Sequence, residues 1–306
     1  MIISASRKTD LPACYGEWFR HRLRAGYCKT VNPYYRSQHQ TVSLRPGDVD
    51  GFVFWTKHVG PFFPALAEVA ALGLPFVVHH TVNAYPRAIE AGVPPTERAL
   101  ADCRRLAADY GPRALVWRYD PVVISDLTPP VWHLANFARL AEALEGCTDE
   151  IATKYVNPYR KTRRNLDRSA ADHDFRWWDP PDEEKAELLR ALAAIAAQHG
   201  LSLTACCQPA LLGGGVEPAT CIDAVRLADI GGRPFAARHR PIRNHCRCAA
   251  SVDIGEYDTC PQGCVYCYAN QHKERALARY RRHDPDGEYL FTPEAAARES
   301  SQLALF

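Results

Sequence analysis

The sequence of 306 residues contains no apolar run of about eighteen residues, so a membrane-spanning helix is not expected. Residues 1–10 carry no charged leader followed by an apolar stretch, and a signal peptide is not expected either. Internal repeats and low-complexity segments are also missing. The 37 Lys and Arg against 35 Asp and Glu give a net charge of +2, which neither favours nor excludes a nucleic-acid partner. With 47% hydrophobic residues the chain can bury a substantial core, and we expect a cytoplasmic globular protein.

Cysteine, by contrast, occurs twelve times. Without an export signal the thiols are expected to stay reduced, so metal ligation explains clustered cysteines better than disulfides do. Three of them form the loop Cys260-Pro-Gln-Gly-Cys264-Val-Tyr-Cys267. Thiolates on so short a loop can each bind a different iron of a cubane cluster and leave the fourth iron open. A zinc site is the alternative, with Cys246 and Cys248 as its second pair of ligands.

Short apolar runs alternate with longer segments of helical periodicity, a pattern that predicts βαβ units and a parallel sheet. The candidate strands are 2–6, 51–56, 75–79, 114–118, 150–154, 201–206 and 252–257. The candidate helices are 13–25, 64–72, 96–110, 131–144, 183–199 and 271–282, with Thr96 as a candidate cap of its helix. Seven such units favour a TIM-like or partial (β/α) barrel, and an open doubly wound sheet is the alternative. We predict a barrel over residues 1–259, with the cluster loop and a helical extension over 260–306 packed onto it as one domain, and an irregular segment over 157–181.

Charged side chains follow successive predicted strands at their carboxyl ends, where parallel α/β sheets gather their ligands. We interpret this rim as the wall of a site for a polar, anionic ligand, although strand ends are also simply where chains surface. The candidate cofactor contacts are Lys8, Asp10, Lys57, Arg118 and Lys154. The four cations are candidates for contacts with a carboxylate or phosphate. Asp10, like Asp120, is a candidate for ribose hydroxyls or for ion pairs. Lys57, Arg118 and Tyr119 are the candidate catalytic residues.

The other cysteines divide into two groups. A second metal site, either a closed auxiliary cluster or a structural zinc, is predicted on Cys206, Cys221, Cys246 and Cys248, with Cys207 as the alternative to Cys206. Those within or beside helical patterns are interpreted as packing residues: Cys14, Cys28, Cys103 and Cys147.

The loop with Tyr266 before its last cysteine resembles the cluster loop of radical S-adenosylmethionine enzymes. This resemblance implies a [4Fe–4S] cluster on Cys260, Cys264 and Cys267, with S-adenosylmethionine at the open iron. The chain as a whole is similar to the family catalogued as domain of unknown function 1848. The similar stretches are residues 3–10, 54–57, 117–121, 154–158, 221–223 and 251–260.

A more distant similarity, to spore photoproduct lyase-like proteins, rests on Thr56-Lys57, on His80-Thr-Val-Asn83 and on Pro94-Pro-Thr-Glu-Arg98. Those proteins carry the cysteine loop on their first strand. The resemblance therefore implies a circularly permuted barrel, whose last strand lies beside the first. The Gly-Gly-Glu signature of the superfamily is missing, and residues 7–10 occupy its place.

These observations lead to a predicted radical S-adenosylmethionine enzyme that generates a deoxyadenosyl radical and acts on an unknown substrate. The cofactor would carry the chemistry and a reductant such as ferredoxin or flavodoxin would supply the electron. One alternative is a DNA- or RNA-associated, repair-like module, for which the arginine-rich helix over 271–282 and the Trp177-Trp178 pair could provide contacts. The other is an electron-transfer protein with a structural metal–cysteine site.

Overall fold

The computed structural model describes residues 1–35, 37–241 and 243–293. The β-strands are β1 (Ile2–Ala5), β2 (Tyr27–Val31), β3 (His39–Ser43), β4 (Gly51–Thr56), β5 (Phe76–Thr81), β6 (Leu115–Val122), β7 (Ile124–Ser125), β8 (Glu150–Tyr155), β9 (Trp177–Trp178), β10 (Ser202–Ala205), β11 (Val216–Pro218) and β12 (Ser251–Asp253). The α-helices are α1 (Leu11–Cys14), α2 (Gly16–Ala25), α3 (Phe63–Ala71), α4 (Thr96–Tyr110), α5 (Pro130–Leu144), α6 (Arg160–His173), α7 (Asp182–Gln198), α8 (Ala224–Gly231) and α9 (Lys273–Arg281).

Eight strands form one parallel sheet in the order β11-β10-β8-β6-β5-β4-β1-β12. The last strand lies beside the first, with Ile2 opposite Ser251 on one side and opposite Gly51 on the other. From β1 to β11, every neighbour in the sheet is the next of these strands along the chain, and β12 lies on the other side of β1. The α/β class and the parallel sheet are thus confirmed. In the described part of the chain no pairing joins β11 to β12, and closure into a barrel stays a prediction.

The central strands are apolar on both faces because both faces are covered. Alternate residues such as Ile3, Phe54 and Trp117 pack into the large core under the helices. The intervening residues, such as Val53 and Val116, pack on the opposite face together with Cys221, Cys246 and Cys248. The alternation of strand side chains therefore separates a helix-covered core from a second, cysteine-containing cluster.

Each of the seven predicted strands overlaps a strand of the sheet, and 51–56 is matched residue for residue. The eighth strand, β11, was missed because its three residues form no apolar run. The predicted irregular segment 157–181 is wrong, since α6 occupies most of it. That helix buries only the narrow stripe of Thr162, Leu166 and Ser169, too small a pattern to stand out among its charged residues. Thr96 lies inside α4, whose cap is Pro95.

The segment after β12 packs against the first two helices and the β2–β3 hairpin. The hydroxyl of Tyr15 donates to the carbonyl of Thr259 at 2.5 Å, and the indole N–H of Trp18 donates to the carbonyl of Gly287 at 2.8 Å. These buried side chains hold both ends of the segment against the body. Within the described residues, no helix has the length and apolar character needed to cross a membrane.

Candidate functional site

A cavity of about 240 Å³ opens at the carboxyl edge of the sheet. Its wall combines the ends of β1, β4, β5, β6, β8 and β10 with two groups of cysteines. One group is the loop Cys260, Cys264 and Cys267, and the other is Cys206, Cys207, Cys221, Cys246 and Cys248. The predicted contacts Lys8, Asp10, Lys57, Arg118, Asp120 and Lys154 line the same cavity. Residues that are far apart in the sequence therefore meet at one site, as expected for strand ends of a parallel sheet.

The three-cysteine loop is separated from β12 by residues 254–259 and is held by hydrogen bonds to its backbone and sulfur atoms. Gly263 supplies a left-handed turn (φ +71°) within it, and the side-chain amide of Asn270 donates to the carbonyl of Cys260 at 2.6 Å. The N–H of Ala269 donates to the sulfur of Cys267 at 3.3 Å. Burial raises the pKa of the Cys264 thiol well above its ordinary value, against the opposing charge of Lys57. Burial likewise raises the pKa of Cys267 to about 11.

Lys57 meets a buried carboxylate that the sequence did not point to. Its Nζ lies 2.8 Å from Oε1 of Glu90, which also accepts hydrogen bonds from the amide of Asn83 at 2.8 Å and from the hydroxyl of Tyr266. Glu90 lies on the loop between β5 and α4, and this loop contacts the cysteine loop: the N–H of Val265 donates to the carbonyl of Ile89 at 3.1 Å. In the sequence, the only feature that could have indicated this role of Glu90 was its position on a proline-rich loop after the end of a strand.

Arg118 is buried beside the second group of cysteines. Its guanidinium donates to Asp120 through Nε at 3.1 Å, lies over the Trp55 ring at 5.1 Å and reaches the sulfur of Cys221 at 3.5 Å. Burial disfavours its charge, but the Asp120 carboxylate together with Cys221 and Cys206 outweighs burial and raises the pKa of Arg118 well above its ordinary value. Arg118 is therefore a fixed cation in the cavity wall.

Asp10, Lys8 and Lys154 differ in the hydrogen bonds that they make within the protein. Asp10 caps α1 through the N–H of Ala13 at 3.1 Å and accepts the N–H of Lys57 at 2.9 Å. Lys8 donates to the carbonyl of Gly255 at 3.3 Å. Lys154 is half-buried at the end of β8. The carboxylate of Asp10 thus orders the rim itself, and its role towards a ribose stays a prediction.

Tyr119 is not brought to the cavity. It is fully buried on the helix-covered face, where its hydroxyl hydrogen-bonds Nδ1 of His133 at 2.7 Å. Tyr266, by contrast, lines the cavity between Cys264 and Cys267. The neighbours His79 and His80 face opposite sides, as adjacent strand residues must. His79 stacks on Trp55 and donates to the carbonyl of Cys221, whereas His80 contacts Cys103 in the helix-covered core.

Cys28 and Cys103 are buried in the core, and Cys147 packs against it, in agreement with packing roles. Cys14 also packs there, but its thiol contacts Cys260 through a hydrogen bond. Two residues from the segments that could contact a nucleic acid instead bind side chains of the protein itself. Arg279 forms an ion pair with Glu256 at 2.7 Å, and the indole N–H of Trp177 donates to Asp167 at 2.9 Å.

The donor set fits a thiolate-bound cluster. The three loop thiols are soft ligands on one wall, and no carboxylate or imidazole lies between them on the loop. Within residues 1–35, 37–241 and 243–293, no group of three or more His, Cys, Asp or Glu side chains is arranged to hold a single metal ion. A cubane binds each thiolate at a separate iron, so its ligands need not converge on one point.

Fold and site together define an α/β protein with a cysteine-lined cavity at the carboxyl edge of a parallel sheet. The family model described as domain of unknown function (DUF1848) matches residues 2–269, and the chain belongs to that family. No curated protein and no solved structure matches the chain.

Proposed function

We propose that the protein is an iron–sulfur enzyme of the radical S-adenosylmethionine type, with a permuted barrel-like fold. The observation that carries the proposal is the position of the three loop thiols. Cys260, Cys264 and Cys267 line the same cavity as the strand-end cations Lys57 and Arg118. A structural metal site would have no need for a cavity with cationic walls, whereas a cofactor with a carboxylate would.

In this proposal Cys260, Cys264 and Cys267 hold a [4Fe–4S] cluster through three of its irons. When bound, the cluster supplies an electron and an open iron for the amino and carboxylate groups of S-adenosylmethionine. The protein contributes binding and orientation. The loop contains Gln262 between its first two cysteines, and Gln262 is hydrogen-bonded to Asp10 at 3.4 Å, which ties the loop to the end of β1.

The cations around the cavity have two tasks. Lys57, paired with Glu90, places a positive charge beside Cys264, which offsets the negative charge of ligating thiolates. Lys8, Arg118 and Lys154 offer positive charge to the cofactor carboxylate. Arg118 is prepositioned by Asp120 and Lys8 by the carbonyl of Gly255, whereas Lys154 lies half-buried at the end of β8.

The test is electron paramagnetic resonance of the full chain, reconstituted anaerobically with iron and sulfide and reduced with dithionite, with and without S-adenosylmethionine. We expect a cluster signal that changes when the cofactor is added, and cleavage of the cofactor to methionine and 5′-deoxyadenosine. Cys264→Ala should lose both results. Cys147→Ser, which replaces a thiol outside the cavity, should keep both.

A cluster signal indifferent to the cofactor would overturn the enzymatic assignment and favour electron transfer. Zinc without iron in the anaerobically purified protein would overturn the cluster itself. A Cys264→Ala protein that still cleaves the cofactor at the wild-type rate would show that the loop is not the site.

A further inference from the structure

The second group of cysteines lines the same cavity as the three-cysteine loop but comes from other parts of the chain. Cys221, Cys246 and Cys248 lie in one buried cluster, and Cys206 and Cys207 pack against it. Cys221 is in contact with both Cys206 and Cys248. Cys246 is two residues from Cys248, and both are buried. We propose that Cys206, Cys221, Cys246 and Cys248 bind a second iron–sulfur cluster, with all four irons held by protein thiolates.

The backbone brings these residues together from three parts of the chain. Cys206 follows β10, and its N–H donates to the carbonyl of Thr153 at 3.0 Å. Cys221 follows β11, the edge strand of the sheet. The loop carrying Cys246 and Cys248 is joined to that edge where the N–H of Ala249 donates to the carbonyl of Ile222 at 3.0 Å.

Two N–H groups point at the sulfurs, which distinguishes this group from ordinary packed cysteines. The N–H of Ile222 donates to the sulfur of Cys248 at 3.4 Å, and Nη1 of Arg118 donates to the sulfur of Cys221 at 3.5 Å. Hydrogen bonds to sulfur are a means by which proteins stabilise and tune bound clusters. Arg118 also brings a positive charge, which a set of four thiolates requires.

The contacts decide between Cys206 and Cys207 as the ligand. Cys206 is in contact with Cys221, whereas the sulfur of Cys207 lies 3.6 Å from that of Cys206 and is partly exposed. Four thiolates also suit zinc, and the metal analysis of the experiment below distinguishes the two. A cubane distributes its four ligands over four irons.

The site does not depend on the three-cysteine loop, and the experiment separates them. Iron, sulfide and zinc are measured in the anaerobically reconstituted full chain. The wild type should hold about eight irons per chain, from two cubanes of four. The variant C260A/C264A/C267A, which leaves the second site untouched, should keep about four irons and the optical and Mössbauer signature of a [4Fe–4S] cluster.

C246S/C248S should also keep about four irons, now on the loop, and Cys207→Ser should keep the full amount. The proposal is overturned if C260A/C264A/C267A, folded by circular dichroism, binds no iron, or if it holds zinc instead. If that variant holds as much iron as the wild type, the loop carries no cluster, and the proposed function fails while the second site stands.

Discussion

The ammonium group of Lys57 lies 2.8 Å from a carboxylate oxygen of Glu90, and Glu90 is only 3% exposed. Burial by itself would lower the pKa of this lysine, but the Glu90 carboxylate and the Cys264 thiol outweigh burial, and the pKa is raised. The Glu90 carboxylate is thus the largest contributor to keeping this cation charged, and removal of either partner of the pair leaves the other poorly compensated.

Glu90→Gln should destabilise the fold strongly. The substitution leaves Lys57 charged and buried beside a neutral amide, a loss of about 3–5 kcal/mol in the free energy of unfolding. Denaturant unfolding of the full chain measures it. Glu187→Gln, exposed on α7, is the control and should stay within about 0.5 kcal/mol of the wild type. Equal free energies of unfolding for the two variants would show that the Lys57–Glu90 pair does not stabilise the fold.

Gly92→Ala should displace the Glu90 loop from the cysteine loop. The N–H of Gly92 donates to the carbonyl of Gln262 at 2.8 Å, and an added Cβ would lie 2.5 Å from that same oxygen. We expect a loss of about 1–3 kcal/mol in unfolding free energy and weaker retention of iron by the loop. Gly47→Ala, with open space around the new methyl group, should change neither quantity. Unchanged stability in Gly92→Ala would mean that the two loops separate without cost.

Stability should fall as the pH is lowered from 7, in part because of His80. Burial, with the charges of Lys57 and His58, lowers the pKa of His80 to about 3, against 6.5 in the unfolded chain. Between these values the unfolded chain binds the extra proton, so this contribution is complete above pH 6.5 and is lost towards pH 3. His80→Gln should reduce the stability lost between pH 7 and pH 5 by about 2 kcal/mol.

The measurement is denaturant unfolding of both proteins at several pH values. His272→Gln, at an exposed histidine, should reproduce the wild-type pH dependence. If His80→Gln also shows the wild-type slope, His80 does not remain neutral in the folded protein.

Lys154→Met tests the cavity cations without disturbing a buried pair. If Lys154 contacts the cofactor carboxylate, its loss should weaken S-adenosylmethionine binding roughly tenfold or more, since a charge-assisted hydrogen bond contributes about 1.5–3 kcal/mol. Calorimetric titration of the reconstituted protein under anaerobic conditions measures this affinity. Arg168→Met removes an exposed charge from α6 and should bind the cofactor normally. Equal affinities would place the carboxylate elsewhere in the cavity.

The sequence predicted the sheet better than it predicted the site. Strands buried on both faces leave continuous apolar runs, which is why seven of the eight were recognised. β11, with three residues, leaves no such run. The rim residues were found from their place after strands, but the direction of a side chain depends on the strand alternation. Tyr119 lies one residue beyond Arg118 and therefore faces the opposite side. Arg243 reaches the cavity, and Glu90 reaches Lys57 in the cavity wall, from loops whose paths no periodicity encodes.

The pairing of β12 with β1 has a consequence for biosynthesis. Ser4 and Asp253, which hydrogen-bond side by side in the sheet, are 249 positions apart. During translation from the N-terminus, one edge of β1 therefore stays unpaired until β12 has been synthesised, when almost the entire chain has left the ribosome. An unpaired strand edge invites association with other chains. The cysteine loop, which is separated from β12 by residues 254–259, is thus among the last parts to reach its place, and insertion of the proposed cluster would be a final step of maturation.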